Sequence, residues 1–187
     1  KSGVRKQILD KYDIDNEVIV SNVDEDEIKE SLLAEGADPL SISKNLAEIK
    51  SIKVSNKNPD RYVLGADSVI SLNKELINKP SSRKEAFAIL KKLNNSKHYL
   101  ISSVCIAKNG AMVWNHSDSS ELKMKNLNDD QLSSYLNKIE TKTLISYGVY
   151  QIEADGLELF EYVKGDKDSI MGLPIKERIN YIDELKK

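Results

Sequence analysis

The sequence predicts an α/β fold with a mixed, twisted β-sheet flanked by helices. In the first half of the chain, segments with helical spacing alternate with short apolar runs that are rich in β-branched residues. In the second half, two long strand-like runs meet at Asn109-Gly110, a dipeptide typical of a tight β-hairpin. No internal repeat or long linker divides the 187 residues, so residues 1–187 are predicted to form a single domain.

The chain begins in a helical pattern over residues 4–12, and Ser2 can cap its first turn. Arg5 and Lys6 lie in that turn, and free N–H groups at a helix start can bind an anion together with such cations. A solvated basic turn explains the same residues equally well. Because nothing precedes this helix in the numbering, we expect a first strand upstream of Lys1.

Caps and apolar spacing predict the remaining elements in order. They are a strand at 17–20, a helix capped by Asp24 and Glu27, a helix opened by Asp38-Pro39, a central strand at 62–71, a strand or turn at 73–78, and a helix from the Ser82 and Glu85 capping box to Leu93. Beyond them come hairpin strands at 98–107 and 111–123, a helix capped by Asn128 and Gln131 and ending near Ile139, a strand at 157–163, and a final amphipathic helix through Leu185.

Composition narrows the classes of function. The net charge of −2 gives no general attraction for nucleic acid, so any anionic ligand must be held by locally placed Lys and Arg. No run is long enough to span a membrane and no signal peptide is recognisable, so we expect a cytoplasmic protein with neither a nucleic-acid nor a membrane partner. The single cysteine, Cys105, lies in an apolar run, which predicts a buried thiol and excludes an internal disulfide.

Asp67 is the one ionisable residue in the apolar run at 62–71. Burying an unpaired carboxylate is costly, so Asp67 should accept backbone hydrogen bonds, pair with a cation, or be exposed where the strand meets a cleft. Gly65 and Ala66 are small enough for a ligand to approach the backbone, and Ser68 adds a hydroxyl group. A purely structural carboxylate that caps a loop is the alternative.

Several catalytic motifs are absent from the sequence. It contains no Walker loop, dinucleotide glycine fingerprint, paired-His zinc motif or Gly-x-Ser-x-Gly elbow, and His98 is expected to be structural. What remains is a set of basic and acidic positions suited to phosphate chemistry, in which cations hold anionic oxygens and carboxylates carry a metal or position water. These positions are Arg5-Lys6, Lys50, Lys79, Glu25 and Asp67.

The order of short motifs resembles one family over nearly the whole chain. The motifs are Ser2-Gly3-Val4-Arg5-Lys6-Gln7-Ile8-Leu9, Asp24-Glu25, Ala47-Glu48-Ile49-Lys50-Ser51, Gly65-Ala66-Asp67-Ser68-Val69-Ile70, Asn78-Lys79-Pro80, Lys97-His98, Tyr147-Gly148-Val149-Tyr150-Gln151-Ile152-Glu153 and Gly172-Leu173-Pro174. In this order they resemble the Maf family of nucleoside triphosphate pyrophosphatases, also called septum formation inhibitor proteins. The resemblance implies a fold with a central nucleotide-binding cleft between two lobes, and it implies a homodimer.

The resemblance also implies an activity and roles for individual residues. A divalent cation such as Mg²⁺ or Mn²⁺ would assist hydrolysis of a nucleoside triphosphate, including modified or non-canonical ones, to a monophosphate and pyrophosphate. By position, Asp67 matches the catalytic base and Glu25 an acidic site residue that, with Asp67, would bind the metal. The phosphate-binding positions are Ser2, Arg5, Lys50 and Lys79, and the specificity positions are Arg5, Ser68 and Glu153.

The sequence departs from the family pattern at several positions. Gly3-Val4 replaces a Pro-Arg pair, so one of two arginines is absent and Lys6 is the candidate replacement. Ser68 replaces a Thr, and Ile145 stands where an Asp is common. Glu153 stands where pyrimidine-specific members carry Gln, and a carboxylate there can accept from guanine, which favours a 7-methyl-GTP-like base over dTTP or UTP. The absence of the first arginine and of an Asp at position 145 motivates the alternative function, a nucleotide-binding regulator of septum formation with weak or no catalysis.

Overall fold

Side-chain caps begin several of the helices, as the sequence predicts. The carboxylates of Asp24 and Asp38, the hydroxyl of Ser82 and the side chain of Asn128 each accept a hydrogen bond from the backbone N–H three residues later. Such caps satisfy an N–H group that the helix itself leaves without a partner. Pro39 at the start of the third helix adds a fixed φ.

The computed structural model describes residues 3–152 and 154–176. Over these residues the elements are α1 (Gly3–Lys11), α2 (Glu25–Ala34), α3 (Pro39–Ser55), β1 (Val63–Leu72), β2 (Glu75–Ile77), α4 (Arg83–Leu93), β3 (Lys97–Lys108), β4 (Ala111–Met124), α5 (Asp129–Asn137), α6 (Thr141–Tyr147), a 3-10 turn (Asp155–Leu159), β5 (Phe160–Lys164) and α7 (Lys167–Ile170). None of the helices in this part of the chain is long and apolar enough to cross a membrane.

The strands form one five-stranded sheet in the order β2-β1-β3-β4-β5. β2 runs antiparallel to β1, with Ile70 opposite Ile77, and β5 runs antiparallel to β4, with Leu122 opposite Val163. The turn at Asn109-Gly110 has positive φ at both residues, as the predicted tight hairpin requires. The predicted α/β class with a sheet flanked by helices is confirmed, and the strands themselves form an antiparallel sheet.

The contacts of the chain divide it into two units, each with its own apolar core. The first unit contains residues 1–69, 101–119 and 166–187, and the second contains residues 70–100 and 120–165. The core of the first unit includes Ile8, Ala66, Val104, Leu173 and Ile175. The core of the second unit is larger and includes Leu90, Leu122, Leu132, Leu144 and Phe160. Cys105 is buried, as predicted.

Some local predictions were wrong. Residues 17–20 form no strand, and Val18, Ile19 and Val20 are all exposed, so this apolar run has no buried face to stabilise a strand. The strand predicted at 157–163 begins only at Phe160, because the preceding residues form the 3-10 turn. The short helices α6 and α7 were not predicted. The final helix predicted through Leu185 lies outside the described residues.

Candidate active site

Gly65 allows α3 to lie directly against β1. A Cβ atom at Gly65 would be 2.4 Å from the carbonyl oxygen of Ala47 and 2.7 Å from the backbone nitrogen of Ser51. Contacts below 3.0 Å are essentially never made by real Cβ atoms, so glycine is required for this strand–helix approach. Because Ala47 and Ser51 precede and follow Lys50 on α3, the contact holds Lys50 beside the strand.

Asp67 is the carboxylate to which this contact brings Lys50. Asp67 is 6% exposed, and its Oδ1 accepts a hydrogen bond from Lys50 Nζ at 2.7 Å. Its Oδ2 is buried without a hydrogen-bond partner among the described residues. A buried carboxylate oxygen without a partner is unusual, because it forfeits hydration, and it marks a position where a ligand or water would bind. The expectation that Asp67 pairs with a cation is confirmed.

Glu25 supplies a second carboxylate to the same lysine. It is the first residue of α2, directly after the Asp24 cap, and its Oε1 lies 2.7 Å from Lys50 Nζ. The Lys50 side chain is 13% exposed, so a largely buried ammonium group bridges two acidic side chains. Helix capping, which places the start of α2, and the packing of α3 on β1 therefore bring Glu25, Lys50 and Asp67 together.

Ser68 and Arg5 meet on the opposite face of β1, since successive side chains of a strand alternate between faces. Arg5 on α1 donates from Nη2 to Ser68 Oγ at 3.1 Å, from Nη1 to the carbonyl of Ala66 at 3.0 Å and from Nε to the carbonyl of Gly172 at 2.8 Å. Burial lowers the pKa of Arg5 from its ordinary value, and the negative charges of Asp67 and then Glu25 oppose this shift. Three hydrogen bonds therefore fix the orientation of the guanidinium.

Gly172 completes the support of Arg5. Its φ is +90°, and a Cβ there would lie 3.0 Å from Ser68 Oγ and 3.3 Å from Arg5 Nε. A side chain at this position would therefore meet both a strained backbone and the hydroxyl that Arg5 contacts. The sequence motif Gly172-Leu173-Pro174 was noted, but sequence analysis gave it no role.

The remaining predicted site residues have different placements. Lys79 is exposed next to the buried Pro80 and belongs to the second unit, so its role at the phosphates stays a prediction. Ser2 and Glu153 lie outside the described residues. Lys6, the candidate replacement for a missing arginine, binds the Asp10 carboxylate at 2.9 Å on the same helix. Ser102, which sequence analysis missed, contacts Ser68. The only signal in the sequence was a serine within an apolar run.

The acidic residues of the site suit a divalent cation that is bound jointly with a substrate. No group of three or more His, Cys, Asp or Glu side chains within residues 3–152 and 154–176 could hold a metal ion by itself. Mg²⁺ is commonly held by one or two carboxylates and completed by water and substrate phosphates. The carboxylates of Asp67 and Glu25 fit that kind of donor set.

The fold and the site together define an α/β protein in which a buried carboxylate, Asp67, shares the ammonium group of Lys50 with Glu25. Residues 1–185 match the family described as Maf-like protein, and the chain belongs to that family. It is 52% identical over 186 residues to a nucleoside triphosphate pyrophosphatase of Pelagibacter ubique, with the whole of this chain and 95% of the relative covered. It is 36% identical to the enzyme of the same name from Ruegeria pomeroyi, covering 97% of this chain and 91% of the relative.

A relative with a more specific name is also similar. The 7-methyl-GTP pyrophosphatase of Brucella abortus is 34% identical over 175 residues, covering 94% of this chain and 88% of the relative. The family resemblance inferred from the order of the motifs is therefore confirmed.

Proposed function

We propose that this chain is a nucleoside triphosphate pyrophosphatase, which hydrolyses a nucleoside triphosphate to the monophosphate and pyrophosphate. The observation that carries the proposal is the buried carboxylate of Asp67, which is held by Lys50 at Oδ1 and has an unpartnered Oδ2. The names of the relatives from Pelagibacter ubique and Ruegeria pomeroyi support the same activity. The alternative function, a regulator without catalysis, is not favoured, since these relatives are named as enzymes.

In this mechanism, Asp67 orients and deprotonates the attacking water through Oδ2. The hydrogen bond from Lys50 keeps Oδ1 occupied, so the free oxygen is the one available to accept a proton from water. The contact at Gly65 fixes the strand and the helix that carry these two residues. Holding the base rigidly reduces the reorganisation needed to reach the transition state.

The cations of the site offset the negative charge of the triphosphate. Arg5 and Lys50 supply two positive groups on α1 and α3, and we propose Lys79 and Ser2 as further phosphate-binding positions. Glu25 and Asp67 would hold a divalent cation, Mg²⁺ or Mn²⁺, which when bound supplies further charge neutralisation at the phosphates. The carboxylates of Glu25 and Asp67 also keep Lys50 oriented before substrate arrives.

We propose that the preferred base is guanine-like, as in 7-methyl-GTP, rather than that of dTTP or UTP. Glu153 supplies carboxylate oxygens that can accept from the N1–H and amino group of a guanine. The name of the Brucella abortus relative supports this preference. Arg5 and Ser68 are the other specificity positions in this proposal.

Hydrolysis in H₂¹⁸O tests the proposed reaction. We expect one ¹⁸O atom in the nucleoside monophosphate, because water attacks the α-phosphorus and pyrophosphate leaves. A panel of 7-methyl-GTP, GTP, dTTP, UTP and CTP with Mg²⁺ or Mn²⁺ ranks the bases at the same time. Release of inorganic phosphate with a diphosphate product would overturn the proposal, and a preference for dTTP or UTP would overturn the assignment of the base.

A further inference from the structure

Ser102 on β3 contacts Ser68 at the side of the site that holds Arg5. The two hydroxyl oxygens are 2.9 Å apart, and Ser102 is fully buried. Both serines belong to the first unit. Ser68 is half-buried and follows Asp67 directly on β1.

Hydrogen-bond donors and acceptors fix the direction of this contact. The Ser102 hydroxyl is cut off from water, and its hydrogen-bond partner among the described side chains is Ser68 Oγ. Leaving a buried hydroxyl hydrogen without an acceptor is costly, so Ser102 donates to Ser68. Arg5 can only donate, and it also donates to Ser68 Oγ, at 3.1 Å.

A serine hydroxyl has two lone pairs and one hydrogen. With Ser102 and Arg5 donating, both lone pairs of Ser68 Oγ are used, and its hydrogen is directed at a third group. We propose that Ser102 is a positioning residue that makes the Ser68 hydroxyl a fixed donor to an acceptor oxygen of the nucleotide. That oxygen belongs either to a keto group of the base or to a phosphate, and the inference rests on the proposed function.

Paired nucleotides that exchange a keto group for an amino group test this inference. In wild-type protein Ser68 donates to a keto oxygen but cannot accept from an amino group. In Ser102→Ala one lone pair of Ser68 becomes free, so its hydroxyl can turn and accept. We expect the kcat/KM ratio of UTP to CTP, or of GTP to 2,6-diaminopurine riboside triphosphate, to fall about threefold to tenfold, the effect of one hydrogen bond.

If the acceptor is a phosphate oxygen, the ratio stays constant in Ser102→Ala. KM then rises by a similar factor for every nucleotide, and inhibition by pyrophosphate weakens equally. Either result supports the inference and identifies the source of the oxygen. A change confined to kcat, or no change in any constant, would overturn it.

Matched variants separate positioning from a structural role. Ser103→Ala removes the neighbouring buried serine, whose hydroxyl lies 2.8 Å from that of Ser117, and should leave the nucleotide ratios unchanged. Ser102→Thr keeps the hydroxyl and should restore the wild-type ratios, whereas Ser102→Cys, a weak donor of similar size, replaces the alanine variant if that protein does not fold. In a Ser68→Ala background, Ser102→Ala should have no further effect.

A failure of this inference can be told from a failure of the proposed function. A folded wild-type protein that releases no pyrophosphate would refute the function. An active wild-type protein whose Ser102→Ala variant keeps every ratio and KM would refute only the role of Ser102. Measuring nucleotide affinity by calorimetry in an Asp67→Asn background gives the same ratios without turnover.

Discussion

Lys50 Nζ lies 2.7 Å from Asp67 Oδ1, and this pair joins the helix α3 to the strand β1 inside the first unit. Both side chains are largely buried, at 13% and 8% exposure. A buried ion pair contributes little net stability, but removing one partner leaves the other charge without compensation. The pair is therefore expected to matter both for folding and for catalysis.

Lys50→Met removes the cation and leaves Asp67 without its partner. We expect the free energy of unfolding to fall by about 3 kcal/mol, the usual cost of breaking a buried pair. Pyrophosphate release should fall about a hundredfold or more, since a preorganised charge at the reacting phosphates is lost. Urea denaturation and steady-state kinetics measure the two effects. Lys44→Met, at an exposed position on the same helix, should change neither.

Gly65→Ala tests the strand–helix contact that places the pair. The added methyl group would overlap the backbone of Ala47 and Ser51, so α3 must move away from β1. We expect a loss of about 1–3 kcal/mol in the free energy of unfolding, as in other overpacked cores. Catalytic activity should also fall in the fraction that remains folded. Gly3→Ala has no atom within 4 Å of the new methyl group and should be neutral or stabilising.

Arg5→Lys keeps the positive charge but replaces the planar guanidinium, with its several N–H donors, by a single ammonium group. Lysine cannot reproduce three directed hydrogen bonds to Ser68, Ala66 and Gly172, so the side chain would no longer be held in one orientation. We expect kcat/KM to fall at least about tenfold, the equivalent of one charge-assisted hydrogen bond. Lys6→Ala removes an exposed cation that pairs with Asp10, and it should retain wild-type kcat/KM.

The lowered pKa of the buried His98 predicts how the free energy of unfolding changes with pH. Burial lowers the pKa of His98 to about 4, and its Nε2 lies 2.9 Å from the hydroxyl of Tyr150. As the pH falls, His98 in the unfolded chain binds a proton near pH 6.5, whereas His98 in the folded protein stays neutral until about pH 4. Stability is therefore fully present above pH 6.5 and is lost as the pH falls from 6.5 towards 4, by about 3 kcal/mol from this group.

Urea denaturation between pH 4 and pH 7 measures this effect. His98→Gln should remove the part of the pH dependence that lies between 4 and 6.5, although the variant is less stable overall. An unchanged slope in His98→Gln would show that other groups cause the loss of stability.

Much of the fold could be predicted from short-range signals. Asp24, Asp38, Ser82 and Asn128 were identified as caps because a cap depends on residues within one turn. Asn109-Gly110 was identified as a hairpin for the same reason. The apolar run at 17–20 has local strand character but no buried face, and this is decided by neighbours that the sequence does not reveal.

The site was predicted as a set of residues but not as a geometry. Alternation along β1 could have indicated that Asp67 and Ser68 lie on opposite faces. Nothing local could show that Glu25 and Asp67 share Lys50, since the two carboxylates lie 42 positions apart in the chain and folding alone brings them together. The contacts of Ser102 and Gly172 were missed because both depend on distant segments. The predicted homodimer, cytoplasmic location, metal and absence of a nucleic-acid partner stay predictions.

Pyrophosphate release by Asp67→Asn protein, compared with the wild type, tests the central claim most directly. The amide keeps the size of the side chain but removes the base, so nucleotide should still bind while turnover falls about a hundredfold or more. Thermal denaturation would check that the variant is folded. Wild-type rates in folded Asp67→Asn protein would contradict the account, because the carboxylate held by Lys50 would then not be the catalytic group.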